Sequence, residues 1–275
     1  MASLLFEISD DVNRYLNLKE LTTLSTVSTN TFFRGLYKMK YYRFMPKENG
    51  EEILRKLSDI SNKEKVKLSD IKASSNINFS DKNGITPLRR VADFNNVEIA
   101  KLLIKEGADI NFANKGGGTP LNRAVSNNYS EMVELLIKEG ANINVADNYR
   151  QTPLQLAASN NNIKIAKLLL KGGVDINLAF RYGEWSPLHS AVHNNNDVLA
   201  ELLIKEGVDV NLASINGDTP IHMAARNNNT KMVELVINEG ADVNITNIKG
   251  DTPLSQAIQK NYTEMIELLK TAGAS

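Results

Sequence analysis

The chain has 275 residues, 42% of them hydrophobic, and its 32 basic and 32 acidic side chains balance to zero formal charge. Such a composition predicts a folded chain of one or two domains, and neutrality argues against nucleic acid or an anionic membrane as the main partner. The absence of cysteine excludes disulfides, thiolate metal sites, cysteine nucleophiles and prenylation, and no apolar run approaches the ~18 residues of a membrane span, so no integral membrane segment is expected. Met1 to Glu7 lacks the basic start of a secretory signal, which points to a cytoplasmic protein.

Residues 1–45 hold eight of the 17 aromatic residues. Leu4, Glu7, Ile8, Val12, Tyr15 and Leu16 fall on one helical stripe. After a four-residue break, Leu21, Leu24, Val27 and Ser28 form a second stripe, extended by Phe32, Phe33 and Leu36. A unit this short and apolar is marginal alone and needs a partner or a neighbouring domain to cover it. Met45 to Gly50 is the joint. Glu51 to Ser61 and Lys65 to Ala73 read as two further helices. The segment 46–80 as a whole reads as a linker with a degenerate cap, ending in Ser75-Asn76-Ile77-Asn78-Phe79.

From residue 81 one pattern repeats six times. Pro87, Pro120, Pro153, Pro187, Pro220 and Pro253 are spaced 33, 33, 34, 33 and 33 residues apart, each preceded by Thr or Ser and followed by Leu or Ile. The units run 81–113, 114–146, 147–179, 180–213, 214–246 and 247–275. A constant period of this size predicts a stacked solenoid, each unit burying its apolar face against its neighbours. Within the third unit, Thr152 caps a helix that opens on Pro153, and Leu154, Leu156, Ala157 and Ala158 give it a small-residue face. Ile163, Ile165, Ala166, Leu168, Leu169 and Leu170 supply a second helix, closed by Gly172-Gly173. Asn95, Asn128, Asn161, Asn195, Asn228 and Asn261 recur between the two helices, where a tight turn needs positive φ. Ser130, Asp197, Thr230 and Thr263 stand where an N-cap for the second helix would be useful.

The Thr-Pro-Leu element, the Gly107-Ala108-Asp109-Ile110-Asn111 element and the period together resemble the ankyrin repeat over residues 81–275. The resemblance implies a mainly α solenoid of antiparallel helix pairs with projecting β-hairpin fingers, binding a partner protein on a concave face of finger tips and first helices, without catalysis. Residues 4–28 resemble the F-box, the small helical module that docks on the Skp adaptor of cullin-based ubiquitin ligases. Leu4, Ile8, Val12, Tyr15, Leu16, Leu21, Leu24 and Val27 hold that family's frame, with Leu5 in place of its usual proline. The same stripes also suit a helical cap sealing the first repeat. An F-box-like module ahead of ankyrin repeats is similar to effectors that intracellular bacteria deliver into eukaryotic hosts. That likeness implies an adaptor acting in host cytosol, monomeric apart from its partners, and the 34 asparagines fit the AT-rich genome of such a source.

Chemistry is sparse. His189 and His193 are four apart on a predicted helix, a zinc-ligand spacing, but no third ligand accompanies them. His189 and His222 follow Pro-Leu and Pro-Ile, where the repeat itself uses a histidine for hydrogen bonding. Lys115-Gly116-Gly117-Gly118-Thr119 lacks the ending of a phosphate loop. The sequence therefore predicts no enzyme, metal site or cofactor. It places binding at the finger tips, Lys82-Asn83, Lys115-Gly116, Asn148-Tyr149-Arg150, Phe180-Arg181-Tyr182, Ile215-Asn216 and Ile248-Lys249. The third and fourth tips stand out: Tyr149, Arg150, Phe180, Arg181, Tyr182 and Trp185 are of the types enriched at binding hot spots, bordered by His193 and Arg226 from the first helices. Phe180 and Trp185 equally suit a local brace for a finger carrying one extra residue.

Overall fold

The structure, a computed structural model, describes residues 77–178 and 185–275. The expected helical module at 1–45, the linker helices before residue 77 and the tip residues Phe180, Arg181 and Tyr182 lie outside the described residues.

Twelve helices are described, two per unit: α1 (Pro87–Asp93) and α2 (Val97–Lys105), α3 (Pro120–Ser126) and α4 (Ser130–Lys138), α5 (Pro153–Ser159) and α6 (Ile163–Lys171), α7 (Pro187–His193) and α8 (Asp197–Lys205), α9 (Pro220–Arg226) and α10 (Thr230–Asn238), α11 (Pro253–Gln259) and α12 (Thr263–Thr271). Each first helix packs on its own second helix and on the first helices of adjacent units, and second helices stack on their neighbours except between α6 and α8, where the contact is weaker. The result is two parallel ranks sharing one continuous core. Leu88, Leu121, Leu154, Leu188, Ile221 and Leu254 run down the first rank, and Leu103, Leu136, Leu169, Leu203, Val236 and Leu269 down the second, all buried. Alanines at 92, 124, 158, 191, 225 and 257 are buried between the ranks, small enough to let seven-residue helices approach closely.

Proline opens every first helix, where its missing N–H is no loss. The preceding hydroxyl accepts from the third helical N–H in five of the six, as in Thr152 from Gln155 at 3.3 Å. The inter-helix asparagines hold φ between 51° and 61°, the left-handed turn expected of them. The cap of the second helix lies one residue earlier than the sequence suggested. Ser130, Asp197, Thr230 and Thr263 are the first helical residues, and the capping side chains are Asn96, Asn162, Asn196 and Asn229. The paired asparagines thus divide the work: the first turns the chain, and the second caps the helix. Units two and six carry Tyr129 and Tyr262 at the capping place and have no side-chain cap there.

Neighbouring units are also joined by hydrogen bonds that repeat with the period. Asn78, Asn111, Asn144, Asn177, Asn211 and Asn244 each accept, through Oδ1, a backbone N–H from the next unit at 2.7 to 3.2 Å. Asn127, Asn160, Asn194 and Asn227 donate back to carbonyls at the end of the preceding first helix, groups that a helix terminus otherwise leaves unpaired.

No strand is assigned among the described residues. The fingers are tight turns: Asp81 N–H donates to Ile85 O, Gly84 N–H to Asp81 O, and the same pair of bonds recurs at 114–118, 147–151, 214–218 and 247–251. Asp81, Asn114, Asp147 and Asn247 brace them by accepting two further backbone N–H groups. Gly217 shows how closely adjacent fingers approach: at φ 74°, a Cβ there would meet Ile248 N at 2.8 Å, whereas one at Gly250 (φ 79°) meets nothing. Gly250→Ala is expected to cost about 1 kcal/mol from left-handed strain alone. Gly217→Ala is expected to cost about 2 kcal/mol, because it also pushes away the backbone bond from Ile248 N–H to Asn216 O. Equal losses in denaturant titrations would refute this close packing of fingers.

Candidate functional site

At the base of the fingers, the third residue of each of the first five units' first helices reaches into the next unit. Arg89 Nε donates to Gly118 O at 3.3 Å, Asn122 Nδ2 to Gln151 O at 3.5 Å and Gln155 Nε2 to Trp185 O at 2.6 Å. His189 Nε2 donates to Asp218 O at 2.9 Å, and His222 Nε2 to Asp251 O at 3.0 Å. The tautomer follows from the other ring nitrogen: Ser186 N–H donates to His189 Nδ1 at 3.1 Å, and Thr219 N–H to His222 Nδ1 at 3.2 Å. Each Nδ1 is therefore an acceptor and each Nε2 carries the proton. Both rings are fully buried, and burial lowers their pKa below the ordinary histidine value despite the opposing Asp218 and Asp251 contacts. These two histidines hold the fingers in place.

His193 is separate from them. It is exposed at the end of α7, and its ring packs against Trp185 at 4.9 Å, tilted by 56°. Trp185 remains 36% exposed, so it is braced on one side and open on the other. Its backbone is held from the preceding unit by Gln155. Tyr149, 75% exposed, stands at the apex of the third finger, beside Arg150, which holds φ 63° where the other described fingers use Gly84, Gly117, Gly217 and Gly250. A left-handed arginine costs about 1 kcal/mol or more relative to glycine, so this finger keeps a strained side chain at its apex. Arg226 is tied to the base of the fifth finger by an ion pair with Asp218 at 2.8 Å. Burial alone would raise the Asp218 carboxyl, but hydrogen bonds from Arg226 and Asn247 hold it below the usual carboxylate range.

Of the sequence-chosen residues, Trp185 and His193 are brought together, and Tyr149 and Arg150 share one apex, which a polar and aromatic pocket of about 460 Å³ adjoins. Arg226 is paired within its own unit, with Asp218. The extra residue of the fourth unit can be located. The bond from Gln155 spans 30 residues and those from Asn122 and His189 span 29, while Asn177 spans 32 and Asn144 spans 31. The insertion therefore falls between Asn177 and Trp185, in the finger itself. Sequence reasoning counted Ile215 and Ile248 among the finger tips without singling them out, and they lie 75% and 72% exposed at the apices of the fifth and sixth fingers. Their signal was available: an apolar residue in a turn where the first two units have lysine. Among the described residues no group of three or more His, Asp or Glu could hold a metal ion, and no helix is long and apolar enough to cross a membrane.

The family model described as ankyrin repeats matches in three copies, over residues 48–147, 139–214 and 188–275. No curated protein sequence matches the chain. Among solved structures, an ankyrin repeat domain from Acinetobacter baumannii is similar with TM-score 0.65 and 29% identity, covering 69% of this chain and 98% of that one. The ankyrin repeat domain of Bcl-3, a member of the IkappaB protein family, has TM-score 0.67 at 21% identity over 82% of this chain and all of its own. The human ASB11 ankyrin repeat domain has TM-score 0.64 at 22% identity over 81% of this chain and 98% of its own. Repeats of this kind generally serve as non-enzymatic scaffolds for protein–protein interaction. With its period, its paired helices and the family match over more than three quarters of its length, this chain belongs to the ankyrin-repeat family.

Proposed function

We propose that the protein is an adaptor that captures a target protein on its central fingers. The observation that carries this reading is the pair of open aromatics on neighbouring units, Tyr149 and Trp185, the second pre-oriented by His193 and Gln155. Large, rigid aromatics lose little conformational freedom on binding, so they make efficient anchors. Arg150 and Arg226 supply polar contacts around them, and Phe180, Arg181 and Tyr182 belong to the same surface by sequence. Trp185→Ala and Tyr149→Ala are each expected to weaken capture of a target isolated with the wild-type chain by about tenfold or more, with an unchanged melting temperature. Loss of folding in either variant would make that residue a structural brace instead.

The second half of the proposal concerns residues 1–45. The spacing of Leu4, Ile8, Val12, Tyr15, Leu16, Leu21, Leu24 and Val27 supports recruitment of a Skp adaptor, which would deliver the captured target to a cullin ubiquitin ligase in the cytosol of a host cell. Purified Skp adaptor should be retained by the wild-type chain and lost with Leu16→Ala combined with Leu21→Ala. Equal retention, or none, removes the ubiquitin link and leaves a binding scaffold.

A further inference from the structure

Charge is divided between the two sides of the solenoid. Among the described residues, fingers, first helices and the turns that follow them carry nine cationic side chains against five carboxylates. Second helices and the loops after them carry nine lysines against sixteen carboxylates. All five described arginines lie on the finger side. The carboxylates there are already engaged. Asp81 and Asp93 pair with Arg90, Asp93 also with Arg123, and Asp218 with Arg226. Asp147 braces its own turn, and Asp251 accepts from Gln259.

The finger row is also graded along its length. The second residue of the turn is Lys82 in the first finger and Lys115 in the second, both exposed and without an ion pair among the described residues. In the fifth and sixth fingers the same place holds Ile215 and Ile248, nearly as exposed as free side chains. Half-exposed Ile258 on α11 adds to that apolar end. Adjacent tips are tied through Lys115 N–H to Asn83 O, Asn148 N–H to Gly116 O and Ile248 N–H to Asn216 O, so the apices of the first three fingers are joined to one another, as are those of the fifth and sixth.

We infer that these two joined sets of apices bind an extended protein segment, acidic where it meets Lys82 and Lys115 and apolar where it meets Ile215 and Ile248. The inference rests on the capture reading above and names the chemistry of what is captured. Complementary charge selects and orients such a segment, and the isoleucines gain by leaving water. Nucleic acid fits poorly, since the few lysines on this side without an ion pair among the described residues, Lys82, Lys115, Lys249 and Lys260, release few counterions and the opposite side is acidic.

The full-length chain can be titrated by fluorescence anisotropy with labelled short peptides. One has glutamates in one half and leucines in the other, a second has lysines in place of the glutamates, and oligouridylate serves as a nucleic-acid control. The acidic–apolar peptide should bind, and should weaken by about tenfold between roughly 50 and 300 mM salt. Lys82→Glu with Lys115→Glu, and separately Ile215→Ser with Ile248→Ser, should each weaken it by about tenfold with melting unchanged. No binding, equal binding of the lysine peptide, insensitivity to either double variant, or preference for oligouridylate would overturn the inference. A target protein lost with Tyr149→Ala and Trp185→Ala but indifferent to the lysine reversals would leave the capture reading standing and remove the acidic segment alone.

Discussion

Lowering the pH from about 7.5 to about 5 is expected to remove unfolding free energy through His189 and His222, with a ceiling of about 2 kcal/mol for each ring set by its unfolded-state titration. Both rings are buried with Nδ1 facing a backbone N–H, so a proton added there would meet a donor, and burial already lowers both pKa values. In the unfolded chain the same side chains take up protons near pH 6.5. Between the depressed folded value and that pH the unfolded state binds more protons, so stability rises with pH across this window and is lost as the pH falls through it. Asparagine is the informative replacement. Asn122, at the equivalent place, accepts from Thr119 N–H and donates to Gln151 O, whereas Gln155 leaves its Oε1 without a partner. A double variant, His189→Asn with His222→Asn, should cost about 1 kcal/mol per site near neutrality and flatten the profile between about pH 5 and 7. Parallel profiles for wild type and variant, measured by urea unfolding, would show that these rings do not control acid stability.

Leu188→Ala is expected to cost about 3–4 kcal/mol, the range for a fully buried leucine whose surroundings cannot collapse. Leu188 lies in α7, which packs between α5 and α9, so the cavity weakens two interfaces. In a solenoid whose stability is a sum of unit and nearest-neighbour terms, a weak central unit uncouples the two ends. Unfolding followed by the fluorescence of Trp185, the chain's one tryptophan, should then separate from unfolding followed by circular dichroism. Leu254→Ala in the last unit touches one neighbouring first helix instead of two, and should cost less while keeping the two signals together. A single shared transition in Leu188→Ala, or a greater loss in Leu254→Ala, would contradict this account of coupling.

Most of the solenoid was legible because its signals are local. Proline with a preceding hydroxyl fixes each first helix, and the Asn–Gly punctuation fixes the turns; both act within a few residues of chain. What was not legible lies across units. The asparagines after the inter-helix turn were read past, because a cap is recognised by what its side chain reaches, and Asn196 reaches both Leu199 N–H and Asn161. The side-chain bonds of Asn78, Asn111 and their counterparts cross 31 or 32 residues and have no local signature. They give the asparagine-rich composition a structural use, so that richness says less about the source of the chain than it suggested. For the candidate site, residue type singled out Tyr149 and Trp185 and the repeat pattern set His189 apart from His193, but only the fold showed that His193, four residues on, packs tilted against Trp185.

The bonds that join one unit to the next fall between 29 and 36 residues along the chain, and almost all depend on the partner standing one full period away. Deleting ten residues anywhere in the array would put donors opposite the wrong acceptors in at least two units. Removing a whole period would leave each remaining unit facing an equivalent neighbour. Gene rearrangements that add or drop complete units are therefore tolerated by the fold where smaller ones are not, and the single extra residue between Asn177 and Trp185 marks one place where length can change without shifting the ladder. The reach of the finger row, and with it the length of segment it can hold, is set to evolve in steps of about one finger at a time.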